Sequence, residues 1–246
     1  MYLPWAKSVG PDTCQITFFG TQETTDWFYR RRGAFADALT ATERLLDQGM
    51  KPRWQVFLTT KLLPELDDLL ALREKITGSY DEFKIFLNLP GPDGEARKLE
   101  HLRPAIDQVS DLPEKLLKSS RIHLNREALW STEAELVSEI LSAPFLKEEL
   151  PEDLWFFVCS NWDVYSNIGT LEPWWRIGNL EIDSVETILR RYENNEVPGL
   201  KGRFLLSPES LVKEFGNANG LKIYSDSNDL LSLYSENLCR GEWSQK

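Results

Sequence analysis

Three cysteines and two histidines are the side chains best suited to metal or thiolate chemistry in this 246-residue chain, and their spacing opposes it. Cys14, Cys159 and Cys239 are separated by long intervals, and no CxxC or CxxxCxxC run occurs. A zinc knuckle or iron–sulfur cluster usually draws its thiolates from short local spacings. His101 and His123 are equally isolated. So sparse and odd a cysteine count also argues against a disulfide framework. The other residues with chemical potential are charged. Glu23 and Asp26 lie in one polar loop, readable as substrate contacts or as a solvated acidic loop. Arg30, Arg31 and Arg32 form a basic run, readable as an anion contact or as a solvated turn before a helix. Paired carboxylates with tryptophan platforms would suit a metal-independent barrel hydrolase. The chain has nine tryptophans, but no acidic residue stands with a partner at a clear strand end. The tryptophans read better as core and interface residues.

The elements that must position these residues follow a strand–helix rhythm over the first 110 or so residues. Gln15–Phe19 is β-prone and closed by Gly20. A helix is predicted from Ala34 to Gln48, with Phe35, Ala38, Leu39, Leu45 and Leu46 on one face and Gly49 as its left-handed stop. Trp54–Leu58 is a second strand, and Leu63–Ile76 a second helix that stops near Gly78. Phe83–Leu87 is a third strand, followed by the proline- and glycine-rich loop 88–94 and a helix over Glu95–Val109. Strands alternating with such helices point to parallel βα packing.

From Leu112 to Pro151 the pattern turns helical, with capping-box spacing at Thr132 and Glu135. A second module opens with a hairpin of Leu154–Cys159 and Val164–Asn167, turning at Asn161–Asp163. Asp183, with Glu186 reciprocal, is expected to cap a helix through Arg191, and Ser207–Pro208 to open another. A strand at Leu221–Tyr224 and a helix over Asp229–Leu238 end the pattern. The expected division is 1–110, a helical connection at 111–151, and 152–246.

Composition sets outer bounds. A length of 246 residues allows one large core, with or without a small module. The net charge of −11 disfavours nucleic acid as a partner. No run reaches the ~20 apolar residues of a membrane span, and the N-terminus lacks a basic start and apolar run. A cytoplasmic protein without membrane contact is the expectation.

The segment from Ile16 to Leu72 resembles the later strands of a radical S-adenosylmethionine (radical SAM) barrel. The resemblance rests on Thr17, Gly20, Asp26, Arg30 or a neighbour, Gly33, Phe35 and Gly49. Residues 156–192 look like the SPASM/twitch extension of such enzymes, through Asp163–Val164–Tyr165, Gly178–Asn179–Leu180 and Asp183–Ser184–Val185. The resemblance implies an incomplete parallel β/α barrel with a small α+β extension. Tyr2–Gly10 would be the helix before the fourth barrel strand, so the CxxxCxxC segment holding the [4Fe–4S] cluster would be missing. Ser166 stands where auxiliary-cluster enzymes usually have cysteine. The chain alone would therefore be inactive.

By the same resemblance, Thr17 would meet the methionine moiety of S-adenosylmethionine. Arg30, with Arg31 and Arg32 as competitors, would pair with its carboxylate through the planar guanidinium fork. Thr59 and Asn88 end or follow the next two strands, where sites collect in parallel barrels, and complete the set of cofactor contacts. A peptide or protein is the implied substrate. A non-catalytic peptide-binding scaffold is the alternative, and missing barrel strands would leave an open sheet edge for self-association.

Overall fold

The computed structural model describes residues 2–11, 13–77, 84–91, 94–142, 155–166 and 171–244. The chain forms two compact units, Met1–Pro90 with Leu102–Leu129, and Gly91–His101 with Trp130–Lys246. No helix among the described residues is long and apolar enough to cross a membrane.

The first unit contains α1 (Tyr2–Val9), β1 (Cys14–Phe18), α2 (Gln22–Phe28), α3 (Ala34–Asp47), β2 (Pro52–Phe57), α4 (Leu66–Thr77), β3 (Lys84–Asn88) and α5 (Glu114–Leu124). Short 3₁₀ turns at Leu63–Glu65 and Ile106–Val109 lead into α4 and α5. The three strands form one parallel sheet in the order β1-β2-β3. Residue alternation splits the sheet into two faces. Phe18, Trp54, Val56, Ile85 and Leu87 are buried on one face. Phe18 packs on Trp54 and on Phe35 of α3, and the Trp54 indole donates to Thr42 of α3 at 3.0 Å. Each such side chain contributes about 1.5–3 kcal/mol by leaving water. Gln15, Thr17, Arg53, Gln55, Phe57 and Asn88 lie on the opposite face and keep part of their surface exposed.

Helix α3 ends as its sequence indicates. Gly49 takes a left-handed φ of 68°, its N–H bonds Leu46 C=O, and Met50 N–H reaches Leu45 C=O. This is the double bond of a Schellman stop, and Met50 packs back on Leu45.

Helix α2 occupies what reads as a polar loop. Thr21 has extended backbone at its start, but its hydroxyl does not cap the helix. Instead the Glu65 carboxylate accepts Thr21 N–H at 2.6 Å, Thr21 Oγ1 at 2.9 Å and Thr24 Oγ1 at 2.6 Å. A long-range anion thus completes the helix start, which no local pattern reveals.

The helix expected over Glu95–Val109 does not form. Two 3₁₀ segments, Gly94–Leu102 and Ile106–Val109, stand there, separated around Pro104. Proline lacks the N–H and restrains its predecessor, so one continuous helix fails at that point. Phe83 and Gly78, expected in the third strand and as a helix stop, lie outside the described residues.

Helix α5 seals the outer edge of β3. Ser120 Oγ accepts Leu87 N–H at 2.9 Å, and Ser119 Oγ donates to Ile85 C=O at 2.7 Å. Farther along α5, the His123 ring lies 3.9 Å from the Phe86 ring, above which Arg53 places its guanidinium.

The second unit holds β4 (Ser131–Thr132), α6 (Glu133–Ser142), β5 (Phe157–Val158), β6 (Asp163–Tyr165), β7 (Arg176–Asn179), α7 (Val185–Glu193), α8 (Pro198–Leu200), α9 (Pro208–Phe215), β8 (Ile223–Tyr224) and α10 (Ser227–Ser244). Strands β4 and β8 pair antiparallel, and β5, β6 and β7 form an antiparallel sheet. One core gathers Leu136, Ile140, Leu211, Leu230 and Tyr234 from α6, α9 and α10. The other gathers Val164, Trp174, Trp175, Ile177 and Ile188. The capping box is present, with Glu135 accepting Thr132 N–H at 2.8 Å and Thr132 Oγ1 accepting Glu135 N–H at 3.2 Å. Ser207 caps α9 as expected. The cap of α7 is Ser184, one residue later than expected, because Asp183 is held by Asn179 N–H and Arg191. Leu154 and Asn167, expected at the hairpin ends, lie outside the described residues.

Ser120→Ala leaves the buried Leu87 N–H without its acceptor. We expect a loss of about 1–3 kcal/mol, measured by urea unfolding. Burial, then the nearby Arg53 and Lys84 cations, holds the His123 imidazole below its ordinary value of 6.5. With its folded value lowered, the stability His123 contributes is complete above that ordinary value and is lost as pH falls through the lowered one. His123→Phe should flatten the decline of melting temperature between about pH 7 and about pH 5. An unchanged slope would show that the imidazole does not govern it.

Candidate functional site

The carboxyl ends of β1, β2 and β3 bring together the residues with most chemical potential. Parallel register fixes who meets whom: Thr17 lies beside Gln55, Gln55 beside Phe86, and Phe57 beside Asn88. Thr17, Gln55, Phe57 and Asn88 share the sheet face opposite Trp54 and Val56. Across it runs a polar ladder in which Gln55 Oε1 accepts Gln15 Nε2 at 2.7 Å and Thr17 Oγ1 at 3.2 Å. Arg53 donates to Gln15 Oε1 at 2.7 Å and closes the ladder.

Above the ladder the face becomes aromatic. Phe19 stacks on Phe57 with centroids 5.2 Å apart and on Phe28 at 4.3 Å. Tyr29 meets Phe19 edge-on and donates its hydroxyl to Thr17 C=O at 3.3 Å. Burial raises the Tyr29 phenol, with Arg31 opposing. Trp27, half exposed, meets the Phe28 edge and carries Lys61 Nζ 4.7 Å from its own ring. The result is a ring-lined surface with cations at its rim.

Beside it, Thr21, Gln22, Glu23, Asp26, Trp27 and Arg30–Arg32 line an open depression of about 720 Å³. Its shape depends on two carboxylates. Glu65 anchors the start of α2, and Gly20 is needed there because a Cβ would collide with Glu65 and Thr24. Asp26 accepts Gly33 N–H at 2.7 Å and Phe35 N–H at 2.9 Å, so it caps α3 from α2. The Phe35 and Gly33 amides hold the Asp26 carboxyl below its ordinary value.

The predicted contacts fall in different settings. Thr17 and Asn88 share the half-exposed face. Arg30 is exposed on the rim of the depression with a left-handed φ of 50°, which costs a non-glycine residue about 1–2 kcal/mol. Arg31 pairs with Asp37 at 2.6 Å. Thr59 is fully buried, and its hydroxyl oxygen accepts Leu62 N–H at 3.2 Å within the 59–63 turn. The two-residue period puts Thr17 with Phe19 and Gln55 with Phe57, but that the two pairs share a face follows only from the register of β1 on β2. Sequence reasoning gave no role to Glu65, which no short motif marks.

In the second unit, the Asp163–Val164–Tyr165, Gly178–Asn179–Leu180 and Asp183–Ser184–Val185 residues form a hydrogen-bonded corner. Asp163 accepts from Arg176 at 2.6 Å, Asn179 at 3.0 Å and Asn161 at 2.8 Å. Asn179, chief among these donors, and the others hold the Asp163 carboxyl low. Arg191 binds both oxygens of Asp183 at 3.0 and 2.9 Å. Ser166 Oγ donates to Trp175 C=O. The meeting of tryptophans with a carboxylate in this unit is structural: buried Glu236 accepts both the Trp174 and Trp175 indoles, at 3.0 and 2.6 Å.

The cysteines do not fit an iron–sulfur site. Cys239 is buried with its thiol on Pro198 C=O, and no group of three or more His, Cys, Asp or Glu residues able to hold a metal gathers among the described residues.

No family model matches the chain, and no curated protein matches it. Among solved structures it is similar to native anSMEcpe with bound AdoMet, at 13% identity and a TM-score of 0.41, over 99% of this chain and 72% of that one. The hexahistidine-tagged form with AdoMet gives 13% and 0.41, over 95% and 66%. The native protein with AdoMet and the Kp18Cys peptide gives 11% and 0.38, over 95% and 70%. Scores this low do not identify a shared fold.

Asp26→Asn should weaken the start of α3 and leave an apparent melting temperature that is lower at neutral pH. The folded carboxyl titrates below its ordinary 3.8, so the lost stability is that present above 3.8 and surrendered as pH falls through the lowered value. An acid unfolding curve of the variant that still tracks wild type through that range would contradict this role.

Proposed function

We propose that this chain is a radical SAM-type protein that binds S-adenosylmethionine on the face of β1–β3 that carries Thr17 and Gln55, and lacks cluster chemistry of its own. The observation that carries the proposal is the juxtaposition of the Gln55–Thr17 ladder, the Phe19–Phe57 stack and the exposed Arg30 at one end of a parallel sheet. These residues fit the molecule's chemistry. A guanidinium suits its carboxylate, hydroxyl and amide oxygens suit its ammonium, and an aromatic stack suits its adenine. When bound, the molecule supplies an activated sulfonium. The chain's own residues bind and orient it: Arg30 holds the carboxylate, Thr17 and Gln55 fix the amino acid end, and the Phe19–Phe57 stack offers its exposed side to the base.

Asn88 stands at the far side of the same face and would meet whatever occupies it. Thr59 holds the turn behind β2. A peptide is the substrate class this reading implies, with any thiolate cluster supplied from outside these residues.

Isothermal titration of the full chain with S-adenosylmethionine tests the reading. We expect saturable binding, weakened about tenfold by Arg30→Ala and similarly by Thr17→Val, equivalent to about 1.4 kcal/mol each. Absence of heat and of any thermal stabilisation by S-adenosylmethionine would overturn it.

A further inference from the structure

We propose that the free edge of β1 pairs with the same edge of a second copy of this chain, antiparallel about a two-fold axis. The two edges of the sheet are treated differently. The β3 edge is closed by Ser119 and Ser120 of α5. At β1, Cys14 N–H bonds Lys51 C=O, so the even residues of the strand turn toward β2 and Thr13, Gln15 and Thr17 turn outward. Only the far end is covered, where Tyr29 meets Thr17 C=O and Thr25 accepts Phe19 N–H. Below that, the outward backbone groups of Thr13 and Gln15 and the Thr17 N–H have no protein partner among the described residues.

Sheet edges that stay single usually carry lysine, proline or a bulge. Residues 13–22, TCQITFFGTQ, have no charge and no proline within a chain of net charge −11. That neutral window removes the repulsion that would otherwise oppose two copies. The occupant follows from the pattern. Thr13–Cys14–Gln15–Ile16–Thr17 reads the same in class from either direction: polar, apolar, polar, apolar, polar. With Gln15 opposite Gln15, each donates its N–H to the other's carbonyl, and Thr13 faces Thr17 across the axis. Cys14 then faces Ile16. Both are only half buried against Leu45 and Met50, so the apolar layer is unfinished at this edge and the second copy completes it. Thr17 C=O has a second lone pair for Thr13 N–H beside the Tyr29 hydroxyl.

Light scattering coupled to gel filtration of the full chain reads this directly. The mass should rise from 28.4 kDa toward twice that value as concentration increases. Thr13→Lys places two ammonium groups at the interface and Gln15→Pro removes the central N–H. Both should stay at the mass of one copy with an unchanged far-ultraviolet spectrum. Ile16→Cys should form a reducible two-copy species with the native Cys14 under mild oxidation. Wild type that remains a single copy at every concentration overturns the proposal. So does a two-copy species that persists in both folded edge variants, because its interface then lies elsewhere. If Gln15→Pro unfolds, Thr13→Lys and the cross-link decide.

Discussion

Strand β2 is the constraint from which the first unit follows. It has a parallel neighbour on each side, so its backbone has no freedom of register, and Trp54 and Val56 are fully buried on one face. A slip of one residue would turn the indole outward and bring Arg53 and Gln55 into the apolar layer. With the register held, the opposite face must carry Gln15, Thr17, Arg53 and Gln55 as neighbours, and their side chains then satisfy one another. The polar ladder is thus the unavoidable reverse of the hydrophobic core.

The loops at the carboxyl ends translate this sheet into a site by exchanging carboxylates. Glu65, from the β2 side, completes the start of α2, and Asp26, from α2, completes the start of α3. Each anion sits where helix amides are otherwise unpaired, the setting in which a negative charge is most favourable. Arg30 keeps a left-handed backbone without glycine because α2 ends in a Schellman stop, with Arg30 N–H on Trp27 C=O and Arg31 N–H on Asp26 C=O.

What could be read from the chain divides along the same line. Strands β1 and β2, helix α3 and its Gly49 stop, the Thr132–Glu135 box and the Ser207 cap depend on local period and local caps, and they stand close to where the residues place them. Helix α2 depends on Glu65, 41 residues from Thr24, and was illegible for that reason. The continuous helix across Pro104 was an overextension of apolar periodicity past a residue that cannot sustain it. Among the candidate contacts, Asn88 follows from strand ends and Thr17 from the family resemblance, whereas the Phe19–Phe57 stack depends on the register. Thr59 shows the limit of reasoning from strand ends alone: its position matches, but its oxygen belongs to the turn.

The paired indoles of Trp174 and Trp175 on Glu236 have an optical consequence. Both rings are buried and both N–H groups face one carboxylate, so their excited states sense a fixed local field. Glu236 belongs to α10, while the two tryptophans belong to the turn before β7. Withdrawal of α10 would admit water to both rings at once and move their emission to longer wavelength together. The second unit thus contains its own fluorescent gauge of α10 docking, separate from Trp54, which senses the sheet of the first.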